Sequence, residues 1–273
     1  MKKFVVLLLA MVFAGSLVGV AMAGDTLADV KSKKLLVCGV KDSTPGFGYI
    51  DEQSREIIGY DVDFCKAIAQ KLGVKLELKP VTSSTRMPQL VAGNIDIIAA
   101  TMTKNAERAK QIDFSYTYFF TGQKFLVKKG TVKKLGDLEG KRIGTAKGST
   151  SEQNAAKALP KATILSFDDY PQAFLALEQG KVAAVTTDES ILANLLAKAP
   201  NKNQYEIPNI QISDEPYGLG MRKGDTNLVN AVNMILLEME KKGEAESIYE
   251  KWFGPHGKSG IVLKRSFTIT ADK

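Results

Sequence analysis

The chain is short of the residues that carry most metal and nucleophile chemistry. Its 273 residues include one histidine, His256, and two cysteines, Cys38 and Cys65. A single histidine in a Gly/Pro-rich tail cannot build an imidazole metal site, and two cysteines are too few for a structural zinc centre. No metal and no cofactor is therefore expected. In an exported protein the two thiols could pair, but each lies in an apolar pattern and reads more readily as a small core residue. A basic block is also missing. The formal charge is +7, yet Lys and Arg are scattered among acids and no aromatic-rich RNA-binding pattern occurs, so nucleic acid is not an expected partner. Past the N-terminal segment no run is long and apolar enough to span a bilayer.

What the N-terminus does have is Lys2 and Lys3 before an apolar run from Phe4, then Ala21-Met22-Ala23 in A-x-A spacing. Residues 1–23 read as a secretory signal peptide cleaved after Ala23, which makes the mature protein periplasmic. An uncleaved anchor is the rival, since the run is about 20 residues long. Gly15, Ser16, Gly19 and the cleavage site favour removal, and no Cys follows it to suggest a lipid anchor.

The composition, 44% apolar and 25% charged, is that of a globular protein with one large or two modest domains. Strand-like and helix-like patterns alternate almost throughout, which points to α/β architecture with mostly parallel sheets. Residues 34–40 read as the first strand, ending in a turn-rich loop that starts at Lys41. Gly59-Tyr60-Asp61-Val62-Asp63 opens a helix whose Phe64, Cys65, Ile68, Ala69 and Leu72 recur at helical spacing until Gly73 stops it. A strand at 74–78, a Thr/Ser loop and a short helix at 86–91 follow. After an aromatic-rich extended segment at 116–122, a strand at 123–127 begins a second series, with strands at 142–145, 162–165 and 182–186. A second polar crossing at 212–217 returns the chain to closing helices at 228–241 and 244–253. Two such βα units joined by two crossings place a ligand site at strand C-termini, in the cleft between them.

The chain is organised around Thr101-Met102-Thr103-Lys104-Asn105-Ala106-Glu107-Arg108, just past the apolar run 94–100. Hydroxyls and free N–H groups at a helix start accept negative charge, and a guanidinium can grip a carboxylate with two bonds. A capped surface helix with a solvated Arg fits the same residues. Gly144 to Thr150 invites comparison with a phosphate loop, but the G-x-x-x-x-G-K-[ST] spacing is absent.

These motifs, with Asp113-Phe114-Ser115, Gly148-Ser149-Thr150, Thr187-Asp188 and Glu250-Lys251-Trp252-Phe253, resemble the exported solute-binding proteins of ABC transporters, specifically the polar amino-acid group. The resemblance covers residues 34–253. It implies a two-lobed, type II-like periplasmic-binding-protein fold: lobe 1 from 24–117 plus 218–273, hinges at 118–122 and 213–217, and lobe 2 from 123–212. It also implies that Arg108 meets a ligand α-carboxylate, with Thr103, Ser149 and Thr150, while Asp188 and Thr101 take the α-ammonium. A zwitterion shut between lobes loses water, so each charge needs an opposite partner. Asp188 could equally be a helix N-cap.

For the ligand side chain, family members holding cationic or amide ligands commonly stack aromatics where this chain carries Thr44 and Ser83. Lys41 stands where an acid is common in glutamine or cation binders. Arg86, in Thr82-Ser83-Ser84-Thr85-Arg86, resembles the acidic amino-acid binders, and Tyr170 stands where some of those place a His. Two cations facing a desolvated pocket favour an anionic side chain, glutamate or aspartate, over a neutral or cationic one such as glutamine. Against this, Lys41 could pair with Asp42 or point to water, and Arg86 could cap its helix.

Cyclohexadienyl dehydratases resemble this fold, so an enzyme is the competing class. A general acid needs a tuned carboxyl or His at the scissile group; no His lies in the candidate cleft, and Asp188 is accounted for as an ammonium partner. The expectation is a monomeric binder that delivers an amino acid to an ABC permease. Exported protein should start at Gly24, and N-terminal sequencing that finds Met1 or Phe4 on membrane-bound material would reject the cleaved form.

Overall fold

The computed structural model describes residues 25–271, so the leader proposed for 1–23 lies outside the described residues. The first half begins with α1 (Thr26–Lys33), β1 (Leu35–Val40) and a small antiparallel sheet of β2 (Ser43–Thr44), β3 (Gly48–Ile50) and β4 (Ile57–Ile58). It continues through α2 (Tyr60–Leu72), β5 (Lys75–Pro80), α3 (Arg86–Val91) and β6 (Ile97–Ala99) to the long β7 (Ile112–Lys128). The middle of the chain supplies β8 (Arg142–Ala146), α4 (Thr150–Ala158), β9 (Thr163–Phe167), α5 (Tyr170–Glu178), β10 (Ala184–Asp188), α6 (Glu189–Lys198) and β11 (Tyr205–Glu206). Then β12 (Ser213–Arg222) returns, followed by α7 (Thr226–Lys241) and α8 (Glu244–Phe253).

Nine strands form one sheet in the order β5-β1-β6-β12-β7-β10-β8-β9, with β11 also on β7. The outer strands, β5-β1-β6 and β10-β8-β9, pair in parallel within each lobe. The central β7 and β12 are antiparallel to each other. The sequence suggests two separate extended pieces at 116–122 and 123–127; instead, β7 is a single 17-residue strand. At about 3.3 Å per residue it is long enough to run through both lobes. β12 slips register twice along it, between Tyr217 and Gly218 and between Gly218 and Gly220. Such irregularities bend a strand where it passes from one packed layer to another.

The Gly59 to Asp63 motif ties this frame together. Gly59 is required by close approach, because a Cβ there would sit 1.9 Å from the Phe47 carbonyl oxygen. The Tyr60 hydroxyl donates to the Tyr118 carbonyl at 2.7 Å, holding α2 against β7. Asp63 accepts from the Trp252 indole at 2.7 Å and from Lys251, which docks α8 on α2. Cys38 and Cys65 are both free and buried, the small core residues their patterns indicate.

Around the crossing strands the aromatics pack as a cluster with Phe119 near its centre. Phe119 stacks on Tyr217 at 5.3 Å and meets Phe47 edge-on at 5.0 Å. The tail beyond α8 joins this cluster. Ile261, Leu263, Arg265, Phe267 and Ile269 alternate inward with exposed neighbours, a period of two that the sequence carried outside the recognised motifs. Arg265 is forked between Glu240 and Glu246 and lies 4.7 Å over the Phe267 ring, which in turn packs on Phe119 at 5.7 Å. Ile269 is only 2% exposed. Ile269→Ala should therefore cost about 2–4 kcal/mol, read by urea unfolding. An unchanged midpoint would mean that the tail does not brace the crossing strands.

Candidate functional site

The loop after β6 is where the backbone departs from regular structure. Thr101 has φ +47, a left-handed conformation that is costly for a β-branched residue. It is held there from both sides. Its N–H donates to Asp61 at 2.8 Å, and its carbonyl accepts from Arg86 at 3.1 Å. The helical run expected to start near Arg108 is only the three-residue 3-10 turn Arg108–Lys110. The chain must enter β7 at Ile112, which leaves no length for a helix. The Arg108 N–H is also spent on the Asn105 side chain at 2.8 Å, so no helix N-terminus is offered to an anion here. What remains is the Arg108 guanidinium, which is buried rather than solvated. It donates to the Thr103 carbonyl at 2.8 Å and, across the cleft, to the Gly148 carbonyl at 3.4 Å.

The second lobe presents the start of α4 and the end of β10. Ser149 is the α4 N-cap, accepting from the Glu152 N–H at 3.1 Å, and Thr150 opens the helix. Gly148 (φ +75) lies so close to the other lobe that a Cβ would come 2.8 Å from Ser84 Cα. Tyr170, at the first position of α5, is buried, and burial and then the Asp188 charge raise its pKa. Asp188 stands at the N-cap position of α6, yet its side chain makes no capping bond. It turns to the cleft instead. One oxygen receives the Tyr217 hydroxyl, and the other, Oδ1, is buried without a partner. Burial, and then the nearby Glu215 charge, push its pKa up to about 7.

At the other end of the site, Lys41 follows β1 and is 3% exposed, donating to Ser83 at 2.7 Å. It therefore does not point to water. Burial, then the Arg86 charge, lower its pKa well below the usual lysine range. Arg86 is the first residue of α3 but not its cap, which is Thr85. Its Nη1 donates to the Ala100 and Thr101 carbonyls, while its Nε has no partner. Burial and the Arg108 charge bring its pKa down to about 9. Ser83, bonded to Lys41, and Thr44 are both buried, without aromatic bulk.

The lobes touch along the whole opening. Thr103 and Thr150 hydroxyls lie 3.4 Å apart, Gly148 sits over Ser83 and Ser84, and the Lys198 ammonium lies 4.1 Å over the Tyr49 ring. A groove of about 460 Å³ at the edge is lined by Ser83, Met87, Arg108, Gly148 and Glu152. Lys41, Ser83, Arg86, Thr101, Thr103 and Arg108 come from one lobe and Ser149, Thr150, Tyr170 and Asp188 from the other. Sequence reasoning passed over three more. Asp61 was visible only as part of its motif, and Glu215 and Tyr217 only as members of a polar crossing.

A two-lobed α/β fold with buried charges of both signs facing each other across the lobes defines a solute-binding protein. The chain belongs to the bacterial extracellular solute-binding proteins, family 3, whose model matches residues 36–255. It is 42% identical over 233 residues to the ABC transporter glutamine-binding protein of Bacillus subtilis, covering 84% of each chain. It is 34% identical over 247 residues to the glutamate/aspartate import solute-binding protein of Salmonella typhimurium, covering 86% of this chain and 82% of that one. Among solved structures, an ancestral arginine-binding protein bound to glutamine superposes with a TM-score of 0.77 at 43% identity, covering 81% of this chain and 98% of that one. The family and these relatives are amino-acid transport binding proteins.

The raised Asp188 pKa fixes the sign of a pH effect. An unfolded Asp releases its proton near pH 4, whereas folded Asp188 does so at about 7. Between those values the folded state binds more protons, so stability falls as pH rises through the window. The limiting slope is about 1.4 kcal/mol per pH unit. Asp61, pushed up to about 6 by burial, acts in the same direction over the lower part. Urea unfolding of ligand-free protein should show this decline, and Asp188→Asn should flatten it between pH 6 and 7. A variant as pH-sensitive there as its parent would mean that Asp188 is not protonated in the folded state.

Proposed function

We propose that this exported protein captures an acidic amino acid, glutamate or aspartate, between its lobes and delivers it to an ABC permease. Residues 24–117 with 218–273 form the first lobe, 123–212 the second, and 118–122 with 213–217 the hinges on which they close. Arg108 receives the α-carboxylate and Asp188 the α-ammonium, whose N–H groups suit the unpartnered Oδ1. Tyr170, Ser149 and Thr101 complete the enclosure. Capture without turnover is what the family and its named relatives do, and it is what we infer here.

The choice of an acid rests on one observation. Lys41 and Arg86 are buried together at the side-chain end of the site, and the acids whose charge reaches them make no hydrogen bond to either: Asp169 caps α5, Asp42 is next in sequence to Lys41, and Asp61 takes the Tyr118 hydroxyl at 2.6 Å and the Thr101 N–H at 2.8 Å. A ligand carboxylate would supply the missing negative charge, and a cationic ligand would meet like charge in a dry site. Glutamine is the second reading. It is favoured by Arg86 Nη1, which is already directed at two carbonyls, and by the higher identity to a glutamine-binding relative.

Calorimetry with glutamate, aspartate and glutamine decides between them. Glutamate or aspartate should bind more tightly than glutamine, and Arg86→Ala and Lys41→Ala should each narrow that margin. Arg108→Ala and Asp188→Asn should abolish all three, because removing one member of a desolvated pair costs about 3–5 kcal/mol, or roughly a thousandfold in Kd. Tighter glutamine binding by the parent protein would reject the acidic side-chain pocket and keep the amino-acid binder.

A further inference from the structure

The end of the second lobe that lies away from the cleft carries charge that the ligand site does not use. Strands β8 and β10 run in parallel from this end toward the cleft, where Asp188 ends β10 and Ser149 follows β8. Their starts, the start of β9 and the end of β7 share one edge, with Arg142 opposite Thr163 and Ala184 opposite both Ile143 and Val127. The five-residue strands, at about 3.3 Å per residue, set this edge roughly 16 Å from the cleft.

Six exposed cations lie in 128–142: Lys128, Lys129, Lys133, Lys134, Lys141 and Arg142. Exposed Lys161 and Lys181 join them, because the Thr163 and Ala183 N–H groups donate to the Lys141 and Arg142 carbonyls. Among the described residues none of the eight is in an ion pair. The acids beside them are Asp137, Glu139, Glu178 and Glu206, and three of these are turned to the backbone. Asp137 accepts from the Lys133 and Lys134 N–H groups, Glu139 from the Lys161 N–H and Glu206 from the Gly130 N–H, all at 2.8–3.1 Å. Eight cations to four acids leave +4 here, while the whole chain falls from +7 to +5 once Lys2 and Lys3 are set aside. Cations that the sequence spreads among acids are thus gathered by the fold. Between them opens a crevice of about 330 Å³, floored by the buried Val132, Leu138, Leu177 and Val182, with Lys128 and Lys141 at its rim.

We infer that this edge docks the exported protein on the anionic headgroups of a phospholipid bilayer, leaving the cleft at the other strand ends free. The inference rests on the exported placement proposed above and not on which amino acid the cleft takes. Unpaired ammonium groups on long flexible stems can follow a laterally mobile array of headgroups, whereas a folded acidic partner needs matching positions. Each cation near an anionic leaflet adds its own increment of attraction, which salt screens. An apolar floor under a lysine rim also suits an amphiphile, since the stems lie along hydrocarbon while the ammonium groups stay at headgroup level. A water-soluble polyanion would leave that floor unused. No Cys follows Ala23 to carry a lipid, so any attachment to a bilayer falls to side chains.

Co-sedimentation with vesicles tests the edge. Vesicles of phosphatidylglycerol and phosphatidylcholine in equal parts should retain the exported protein at about 0.05 M salt and release most of it at about 0.5 M, and phosphatidylcholine alone should not retain it. The triple variant Lys133→Gln, Lys134→Gln, Lys141→Gln should weaken retention about tenfold or more. Its urea midpoint and its affinity for glutamate or glutamine should stay those of the parent, which shows that the fold and cleft are intact. The same number of exposed lysines removed from the first lobe, Lys31→Gln, Lys75→Gln, Lys110→Gln, should leave retention within about twofold. Equal losses from the two triple variants would mean that net charge alone is felt, and would overturn the inference. Equal retention on the two kinds of vesicle would overturn it as well. Retention on polyglutamate beads but not on phosphatidylglycerol vesicles would assign the edge to an acidic protein segment, against this reading. Vesicle retention by a protein that binds none of the three amino acids would support the docking edge and reject the function proposed above.

Discussion

A carboxylate with no exposed surface, Asp61, holds the cleft to the hinge. It takes the Thr101 N–H with one oxygen and the Tyr118 hydroxyl with the other. Without the first bond, a β-branched residue in a left-handed conformation has little to keep it there, and Thr101 carries the carbonyl that anchors Arg86. Without the second, the hinge strand loses its polar link to α2, where Tyr60 already grips the Tyr118 carbonyl. Burying the acid is costly enough to push its pKa up to about 6. Two hydrogen bonds to its charged form and the Lys41 and Arg86 charges oppose that cost. The strained loop, the hinge and the basic end of the site are therefore one electrostatic unit.

The opposite end of the cleft follows another logic. The Glu215 charge raises the pKa of Asp188, against which the Arg86 and then the Arg108 charges act, and Arg108 feels both acids. Glu215 is satisfied by four donors from both lobes. Asp188 is not, since Tyr217 reaches only one of its oxygens. Two acids in one buried site thus differ in what they can do. The saturated one fixes geometry, and the one with a free oxygen is the acid that the proposed function assigns to the ligand's ammonium.

Much of this was legible in the sequence, and the failures have physical causes. The alternating βα series, the return of the chain through β12 and the small buried cysteines follow from periodicity and composition. Gly59 to Asp63 and Glu250 to Phe253 stood out as motifs because each position serves a contact distant in sequence, as Asp63 and Trp252 do with each other. The helix expected at Arg108 failed because local propensity says nothing of how soon the next strand must start. The fusion of two extended segments into β7 was hidden because a polar stretch inside a strand reads as a break. Roles for Glu215 and Tyr217 were out of reach for a different reason. They depend on which hydroxyl gives its hydrogen to which oxygen, and that is set by approach across the lobes. The tail was the nearest miss, as its apolar alternation was in plain view but lay outside the familiar motifs.

Stability and ligand response are assigned to different parts of the interface. At the crossing strands the contacts are aromatic: Phe119 is enclosed by Phe47, Tyr217, Phe253 and Phe267 from four separate stretches of chain. Such packing is short-ranged and insensitive to charge, so it fixes the crossing strands to the first lobe independently of what fills the cleft. Across the cleft the contacts are polar and incomplete. With the lobes in contact, Arg86 Nε and Asp188 Oδ1 are buried without partners, which costs them hydration. In the function proposed above, an amino acid supplies the missing partners only in the closed form. Its binding free energy is therefore differential between open and closed states, which is the condition for a ligand to shift such an equilibrium at all. A cleft perfected for closure on its own would shut without cargo; in the function proposed above, the unpartnered Asp188 oxygen makes closure depend on the ligand's ammonium.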